Sequence, residues 1–593
     1  MKKIKEKLIK LKSYILIISS ILVTFALNID LDKNKSLLNS FNGNSVYILI
    51  LFILTYWLLK KISSIKNKRM KLCGIILAII LAIFEVIGAS LQIDLSLNEI
   101  IGSKTTLLKS FIKFVGSTII FYGVIVGIYS EIENKKIFEK TCKYFTNNKK
   151  TFFLTWGIIF LAWIPYFLRY YPGQITADSM LQIYQSLGRL ELTNHHPLIH
   201  TTIIGLFMKV GEIRNDFTSS IACFSIMQML FLSASFSFAI YYMAKKGISK
   251  KIRVLTLIFY AFYPVNGIYS ITMWKDIPFA ITMLFFTIVM TEVAANKEAF
   301  FSSKKNILLL VTSMILVILF RNNGVYVVLL TLPFIFIFAK KYYKKLIIVT
   351  CVILAFYCIW KGPVFQIFNV KQGSSREALS IPLQQFARIT KYYSDSLTTE
   401  EKEEIYKYLP SENLADEYIP TLSDPVKDQF NDEAFKNDKI GFIKLWLELS
   451  LKYPRASIEA FLCNNYGYWY PETVNWVVSR ENLVEAEELN IKQEPIVNLE
   501  IIGKYDSLID KRDIPLSSML YSIGFNFWIV LIMAMYVIYK RNYIQLLTYI
   551  PVLLLWLTTN ASPVYAEYRY VYCMFVCLPI LVGINFTENK NNN

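Results

Sequence analysis

The sequence predicts an all-α polytopic membrane protein with about 14 transmembrane helices and a mainly α extracytoplasmic domain before the last three. Three observations predict it. Apolar residues make up 54% of the 593-residue chain, and apolar runs of about 16–24 residues, the length that crosses a bilayer, recur along it. Lysines gather in the short loops between those runs, the pattern of cytoplasmic loops. A single long polar stretch, from about Lys361 to Leu516, interrupts the alternation late in the chain. The same clustering accounts for the net charge of +19 and argues against a nucleic-acid partner, which would call for a basic patch on a folded surface.

The first apolar run, Ser13 to Leu27, follows Lys2, Lys3, Lys5, Lys7, Lys10 and Lys12. It resembles a signal peptide, but no small-residue cleavage site follows and many spans do, so it reads as an uncleaved first helix. Further helices are expected at 45–61, 73–92, 108–129 and 152–168. The first four form an N-terminal membrane segment over 1–150, and the fifth opens a membrane core over 151–360. The loops Lys61–Lys71 and Glu131–Lys150 are basic and read as cytoplasmic, which sends the fifth helix outward and leaves the loop 169–201 outside. Leu198–Val210 is apolar but only about 13 residues long. If it crossed, the basic loop Lys245–Arg253 would face outward, so it is expected to lie in the outer interface or re-enter. Spans at 220–243, 252–269, 277–294, 306–321, 324–340 and 345–360 complete the core. The polar region 361–516 then lies outside and is long enough for a small domain, with helical patches at Thr399–Tyr408 and Ile440–Tyr453. Spans at 517–539, 543–558 and 569–586 make a C-terminal segment, 517–593, and both ends are expected on the cytoplasmic side of the plasma membrane. The eight cysteines lie mostly in or beside apolar spans and imply no disulfide framework.

On this topology the outer face collects the groups that can do chemistry. Asp178 lies in the first turn of a short amphipathic helix whose cap is Thr176 and whose apolar face is Met180, Leu181, Ile183, Tyr184 and Leu187. Its plain alternative is a carboxylate that only stabilises the helix N-terminus. His195, His196 and His200 are all the histidines of the chain. Their HHxxxH spacing suits zinc, but no acidic partner of the HExxH kind accompanies them, and they also read as interfacial residues before the helix that Pro197 opens. Lys275 and Asp276 start the next outward-facing helix end. Arg321, with Asn322 and Asn323, breaks two apolar runs, and Glu567 and Arg569 lie between the last two spans. Each has a local reading as an ion pair or a snorkelling side chain. Their agreement on one face carries more weight than any of them singly. Gln384, Gln385 and Arg388 fall on an expected helix near the membrane that lines the site or caps the domain, and the aromatics of Asn464–Trp476 suit sugar stacking or an interfacial belt.

Tyr171-Pro172-Gly173 with Asp178 after an outward helix, the His196-Pro197 step and Lys275-Asp276 in the next outer loop resemble the GT-C superfamily of membrane glycosyltransferases, which includes protein O-mannosyltransferases and the aminoarabinose transferases of lipid A. The resemblance is greatest to a bacterial multi-pass branch, through Ser375–Ile389 and Ala566–Tyr570, and it spans the chain from about residue 150 onward. It implies a GT-C-like fold and a polyprenyl-phosphate sugar donor. It also implies inversion at the anomeric carbon, with an extracytoplasmic acceptor: a cell-wall polymer, glycolipid or protein. It makes Asp178 the catalytic base or orienter and Asp276 a second carboxylate. His195, His196, Lys275, Arg321, Gln385, Arg388, Glu567 and Arg569 become candidate substrate-binding residues. Superfamily members often carry an Asp-Glu or Asp-x-Asp pair where this chain has the lone Asp178. No metal and no cofactor are therefore expected, a divalent cation being the less favoured alternative.

Three other readings compete: a flippase or transporter of lipid-linked saccharides, a polymerase of them, and a non-catalytic membrane module that binds glycan. Paired inverted halves and helices broken at mid-span would mark a transporter. No paired halves are evident, and the polar groups sit at one edge.

Overall fold

The computed structural model describes residues 2–41, 43–134, 149–473, 489–491, 493–507 and 517–586. Among these residues the secondary structure is helical, with isolated bridges such as Gln174 to Thr272 and Thr193 to Lys371 in place of strands. Among them, nine helices are long and apolar enough to cross a membrane, from Lys10–Asn28 to Tyr568–Phe586. The chain is a polytopic membrane protein. Most of the expected basic loop 131–150 and Val474, Asn475 and Trp476 lie outside the described residues.

Five of the expected spans differ from their sequence reading. The segment expected over 252–269 is two helices, Lys250–Phe262 and Pro264–Ser270, bent by 52°. Pro264 cannot donate an amide hydrogen, so it ends one helix and opens the next. The Asn266 side chain donates to the Tyr260 carbonyl, which Pro264 leaves without its helical donor, and to the Phe259 carbonyl, at 3.2 Å each. Lys304–Phe320 and Ile523–Tyr539 have 17 residues each, Gly324–Phe338 has 15 and Ile550–Ala561 has 12, all short for an upright span. The interfacial segment at Leu198 is a helix of 17 residues, Leu198–Arg214.

The Asp276–Ala295 helix is apolar all round and is the most buried of the nine, as an element at the centre of a bundle must be. Around it pack Phe217–Lys245, Lys304–Phe320 and Tyr568–Gly583. The N-terminal helices dock on Ile523–Tyr539: Tyr129 Oη donates to the Ile532 carbonyl and Arg69 to the Ile538 carbonyl, each at 2.8 Å. Tyr470 presses on Gly88, where a Cβ would lie 2.2 Å from its ring.

The polar region forms its own core from Leu383, Phe386, Tyr408, Tyr418, Phe442, Leu445 and Leu449. From Tyr466 to Tyr470 the chain leaves that core and joins the membrane bundle. Trp528 Nε1 donates to the Trp469 carbonyl at 2.8 Å and Trp556 Nε1 to the Tyr468 carbonyl at 2.9 Å. These aromatics are buried packing elements, so the described part of Asn464–Trp476 offers no open ring face for a sugar.

Candidate functional site

The loop after the Lys149–Arg169 helix is pinned to its neighbours residue by residue. Gly173 has φ +135°, and a Cβ there would lie 2.1 Å from Ser225 Oγ, so only glycine lets the backbone approach the Phe217–Lys245 helix this closely. Gln174 then pairs with the next outer loop: its N–H donates to the Ile271 carbonyl at 2.9 Å, and its carbonyl accepts from Met273 at 3.0 Å. Thr176 and Ser179 form a capping box at the start of the Ala177–Ser186 helix. Trp274 Nε1 donates to Thr176 Oγ1 and Ser179 Oγ to the Met273 carbonyl, both at 2.7 Å. The first turn of that helix, carrying Asp178, is thereby clamped against the Met273–Asp276 turn.

Three carboxylates and three cations meet there. Asp178 Oδ2 accepts from Arg569 Nη1 at 2.7 Å and lies 3.6 Å from Lys275 Nζ. The Arg569 guanidinium stacks 4.7 Å from the Trp274 ring centroid, and its Nε is 3.2 Å from Glu567 Oε1. Arg321 Nη1 is 2.9 Å from Asp276 Oδ1, donates to the Tyr570 carbonyl at 3.1 Å and stacks 4.4 Å from the Tyr570 ring. The Arg321–Asp276 pair is a charge contact, not an aligned hydrogen bond. Both Asp276 carboxylate oxygens are buried without a hydrogen-bond donor among the described residues.

Burial alone would raise Asp178. Lys275 and Arg569 outweigh it and hold the carboxyl well below the usual carboxylate range. His196 Nδ1 accepts from Lys275 Nζ at 3.1 Å, which puts the imidazole hydrogen on Nε2. Burial, reinforced by Lys275, pushes His196 down to about 2, so it is neutral at physiological pH. His195 packs edge-to-face on it, with centroids 4.6 Å apart. His200 turns away from the cluster and donates to Gln182 Oε1 at 3.1 Å.

Asp178, His195 and His196 each bring one ligand atom within 4.8 Å of the others, a spacing that a divalent ion can bridge. The Lys275 ammonium, however, already touches both Asp178 and His196, and Arg569 lies on the same carboxylate oxygen. A metal would have to expel one cation and sit beside another. The donor set fits an ammonium better than a metal.

Beside the cluster is a cavity of about 730 Å³. Its lining combines polar side chains, among them His195, Lys275, Arg321, Asn322 and Ser374, with apolar ones, among them Val325, Tyr326, Leu330 and Tyr357. Asp178 and Asp276 stand behind Lys275 and Arg321. A second cavity of about 840 Å³ shares the wall made by Asn194, Tyr357, Lys361 and Gln372.

Thus the structure brings together Asp178, Asp276, His195, His196, Lys275, Arg321, Glu567 and Arg569. It puts Gln385 and Arg388 elsewhere. Gln385 Nε2 donates to the Ser457 carbonyl at 2.9 Å, and Arg388 Nη2 binds Glu459 Oε2 at 2.5 Å, both inside the polar region. Sequence reasoning missed Asn194, whose carbonyl accepts from Asn322 at 2.7 Å, and Lys361. Their one sequence signal was position, beside His195 and at the outer end of an apolar run.

A profile described as DUF6020, a family of unknown function, matches residues 187–593. The chain belongs to this family. No curated protein and no solved structure matches the chain. The DUF6020 region carries Lys275, Asp276, Arg321, Glu567 and Arg569, while Asp178 precedes it.

Proposed function

We propose that this DUF6020 protein is a membrane glycosyltransferase of GT-C-like fold. It moves a sugar from a polyprenyl-phosphate donor to an extracytoplasmic acceptor hydroxyl on a glycan, lipid or protein, with inversion. In this reading the chain crosses the plasma membrane about 14 times, counting the bent pair and the four short apolar helices with the nine long ones. Both ends are then cytoplasmic.

One observation carries the proposal. Four stretches far apart in sequence, those of Asp178, Lys275, Arg321 and Arg569, converge beside a cavity lined by both cations and apolar side chains. That combination suits a phosphate joined to a lipid chain. Tyr326 and Leu330, in its lining, are exposed on the protein surface where acyl or prenyl chains would cover them.

The chemistry follows from the charges. An acceptor oxygen attacks the anomeric carbon, and the bond from that carbon to the phosphate oxygen breaks. The lipid phosphate leaves with the electron pair, and Asp178 takes the hydroxyl proton. Lys275 and Arg569 stabilise the negative charge that grows on the departing phosphate. With the donor absent, those cations hold Asp178 ionised and weakly basic. A bound phosphate competes for them, and Asp178 becomes a stronger base as its counter-charges are shared. Neutral His196 keeps the Lys275 ammonium directed into the cluster.

The test is transfer of radiolabelled sugar from membranes charged with polyprenyl-phosphate sugars, comparing wild type with Asp178→Asn at equal expression. Label moving to a new acceptor in wild type alone supports the reading. Equal transfer in both removes Asp178 from the chemistry, and no transfer with any donor removes the transferase.

A further inference from the structure

Lys361 stands on the wall shared by the two cavities, at the outer end of the apolar helix Lys340–Ile367. Its ammonium donates to Asn194 Oδ1 at 2.5 Å and lies 4.5 Å from the Phe365 ring centroid. Charge sets it apart from its neighbours. Lys275 and Arg569 share Asp178, and Arg321 has Asp276. Among the described residues no carboxylate pairs with Lys361. The one carboxylate lining either cavity is Glu377, and Lys427 holds it at 2.9 Å.

A half-buried ammonium next to a cavity, with an amide oxygen and a ring but no carboxylate for company, is poised for an anion. The surroundings say which kind. The same cavity wall carries the neutral donors Ser374 and Asn322 and the largely apolar side chains of Tyr326, Leu330 and Tyr357. A free inorganic anion would have no use for those apolar side chains.

We propose that Lys361 is the anion subsite of this cavity: it takes a phosphate oxygen of a lipid phosphate whose chain runs along Tyr326, Leu330 and Tyr357. This rests on the transferase reading and names the residue that first meets its donor, before the phosphate reaches the paired cations Lys275 and Arg569.

The experiment measures equilibrium binding without any sugar, on the full chain in lipid nanodiscs. The probes are a polyprenyl monophosphate, the corresponding neutral polyprenol and inorganic phosphate, each against wild type, Lys361→Gln and Lys361→Arg. Thermal unfolding of the three proteins is run alongside. The expected result is that Lys361→Gln weakens polyprenyl phosphate binding by about tenfold or more, the scale of one charge-assisted hydrogen bond. Lys361→Arg retains the binding, and neither variant changes the weak binding of polyprenol. Equal affinity for the lipid phosphate in wild type and Lys361→Gln overturns the proposal. So does inorganic phosphate competing at the concentration of the lipid phosphate, which would make this a soluble-anion site. Lys361-dependent binding with no sugar transfer from any donor supports the subsite and counts against the transferase alone. Transfer and binding both intact in Lys361→Gln count against the subsite alone.

Discussion

Arg569 donates to Asp178 at 2.7 Å across 391 residues of sequence, joining the start of one of the most buried helices to the loop that follows the Lys149–Arg169 helix. The pair ties the first turns of two helices together and, with Lys275, sets the charge state of the carboxylate on which the proposed chemistry turns. Replacing Asp178 by Asn keeps the shape and removes the charge, and Glu567 remains to hold Arg569. Transfer per folded molecule is expected to fall by about 10²–10⁴, the usual contribution of a general base, alongside a lower unfolding temperature from the lost ion pairs. A fall in activity that only tracks a fall in folded protein would count against a chemical role.

Acid should destabilise the fold through His196 and His200. Burial, with Lys275 adding to it, pushes these imidazoles down to about 2 and about 3. In the unfolded chain a histidine titrates near about 6.5. Between those values the unfolded state binds protons that the folded state refuses, so stability is full above about pH 6.5 and falls as pH drops. The loss is about 1.4 kcal/mol per histidine per pH unit, or about 4 kcal/mol for the two between pH 7 and 5. Asp178 does not act in this window. Its depressed carboxyl adds stability above about pH 4 and loses it only at lower pH. The check is the unfolding midpoint against pH, in wild type and in His200→Gln. The variant should show about half the slope, and a flat wild-type profile from pH 7 to 5 would sink the argument.

Arg321 and Asp276 form a buried pair, both under a tenth exposed. Arg321→Ala leaves a buried carboxylate without its counter-charge and is expected to cost about 3–5 kcal/mol. The double replacement Arg321→Met with Asp276→Leu should recover most of that stability. Because Arg321 also lines the cavity, the double variant should fold yet remain inactive. Activity returning with stability would make the pair a structural element only.

Gly173→Ala tests how the first outer loop is held. A Cβ at φ +135° is strained, and it would also collide with Ser225 Oγ. A loss of about 1–3 kcal/mol in stability is expected, seen as a lower unfolding temperature. Ser225→Gly in the same chain removes the collision and should restore part of it. No change on Gly173→Ala would mean that the loop is free to shift.

Much of this site was legible because each member interrupts something regular. Asp178, Lys275, Arg321 and Arg569 break apolar runs at their outward ends, and the lysine-rich loops say which ends those are. The reading weakened where a residue obeys the local rule. Lys361 ends an apolar run as any snorkelling lysine does, so its cavity could not be read from sequence. The bend at Pro264 was marked by proline, yet the apolar run continues through it, and length alone suggested one span. Gln385 and Arg388 fell on an amphipathic helix, and spacing reveals that such a helix has a face but not what covers it. What covers it is Glu459, on the Pro454–Asn465 helix 71 residues further on.

Arg388 separates a binding role from a folding role. Its guanidinium binds Glu459 Oε2 at 2.5 Å, Tyr418 Oη at 3.0 Å and the Leu95 carbonyl at 3.3 Å, and so ties the polar region to the N-terminal helices. Burial opposes its charge, but Tyr418 and Glu459 more than offset that and hold it firmly protonated. Glu459 is also fixed from the other side, by Arg455 at 3.0 Å and by the Leu97 N–H at 3.0 Å. Arg388→Ala therefore strips the central member from a buried, charge-paired network and is expected to lower stability by about 3–5 kcal/mol. Nothing in that network reaches the cavity. The protein that does fold should accordingly show the wild-type KM for the lipid donor, with the loss confined to the amount of active protein. A raised KM at full folding would return Arg388 to the substrate site.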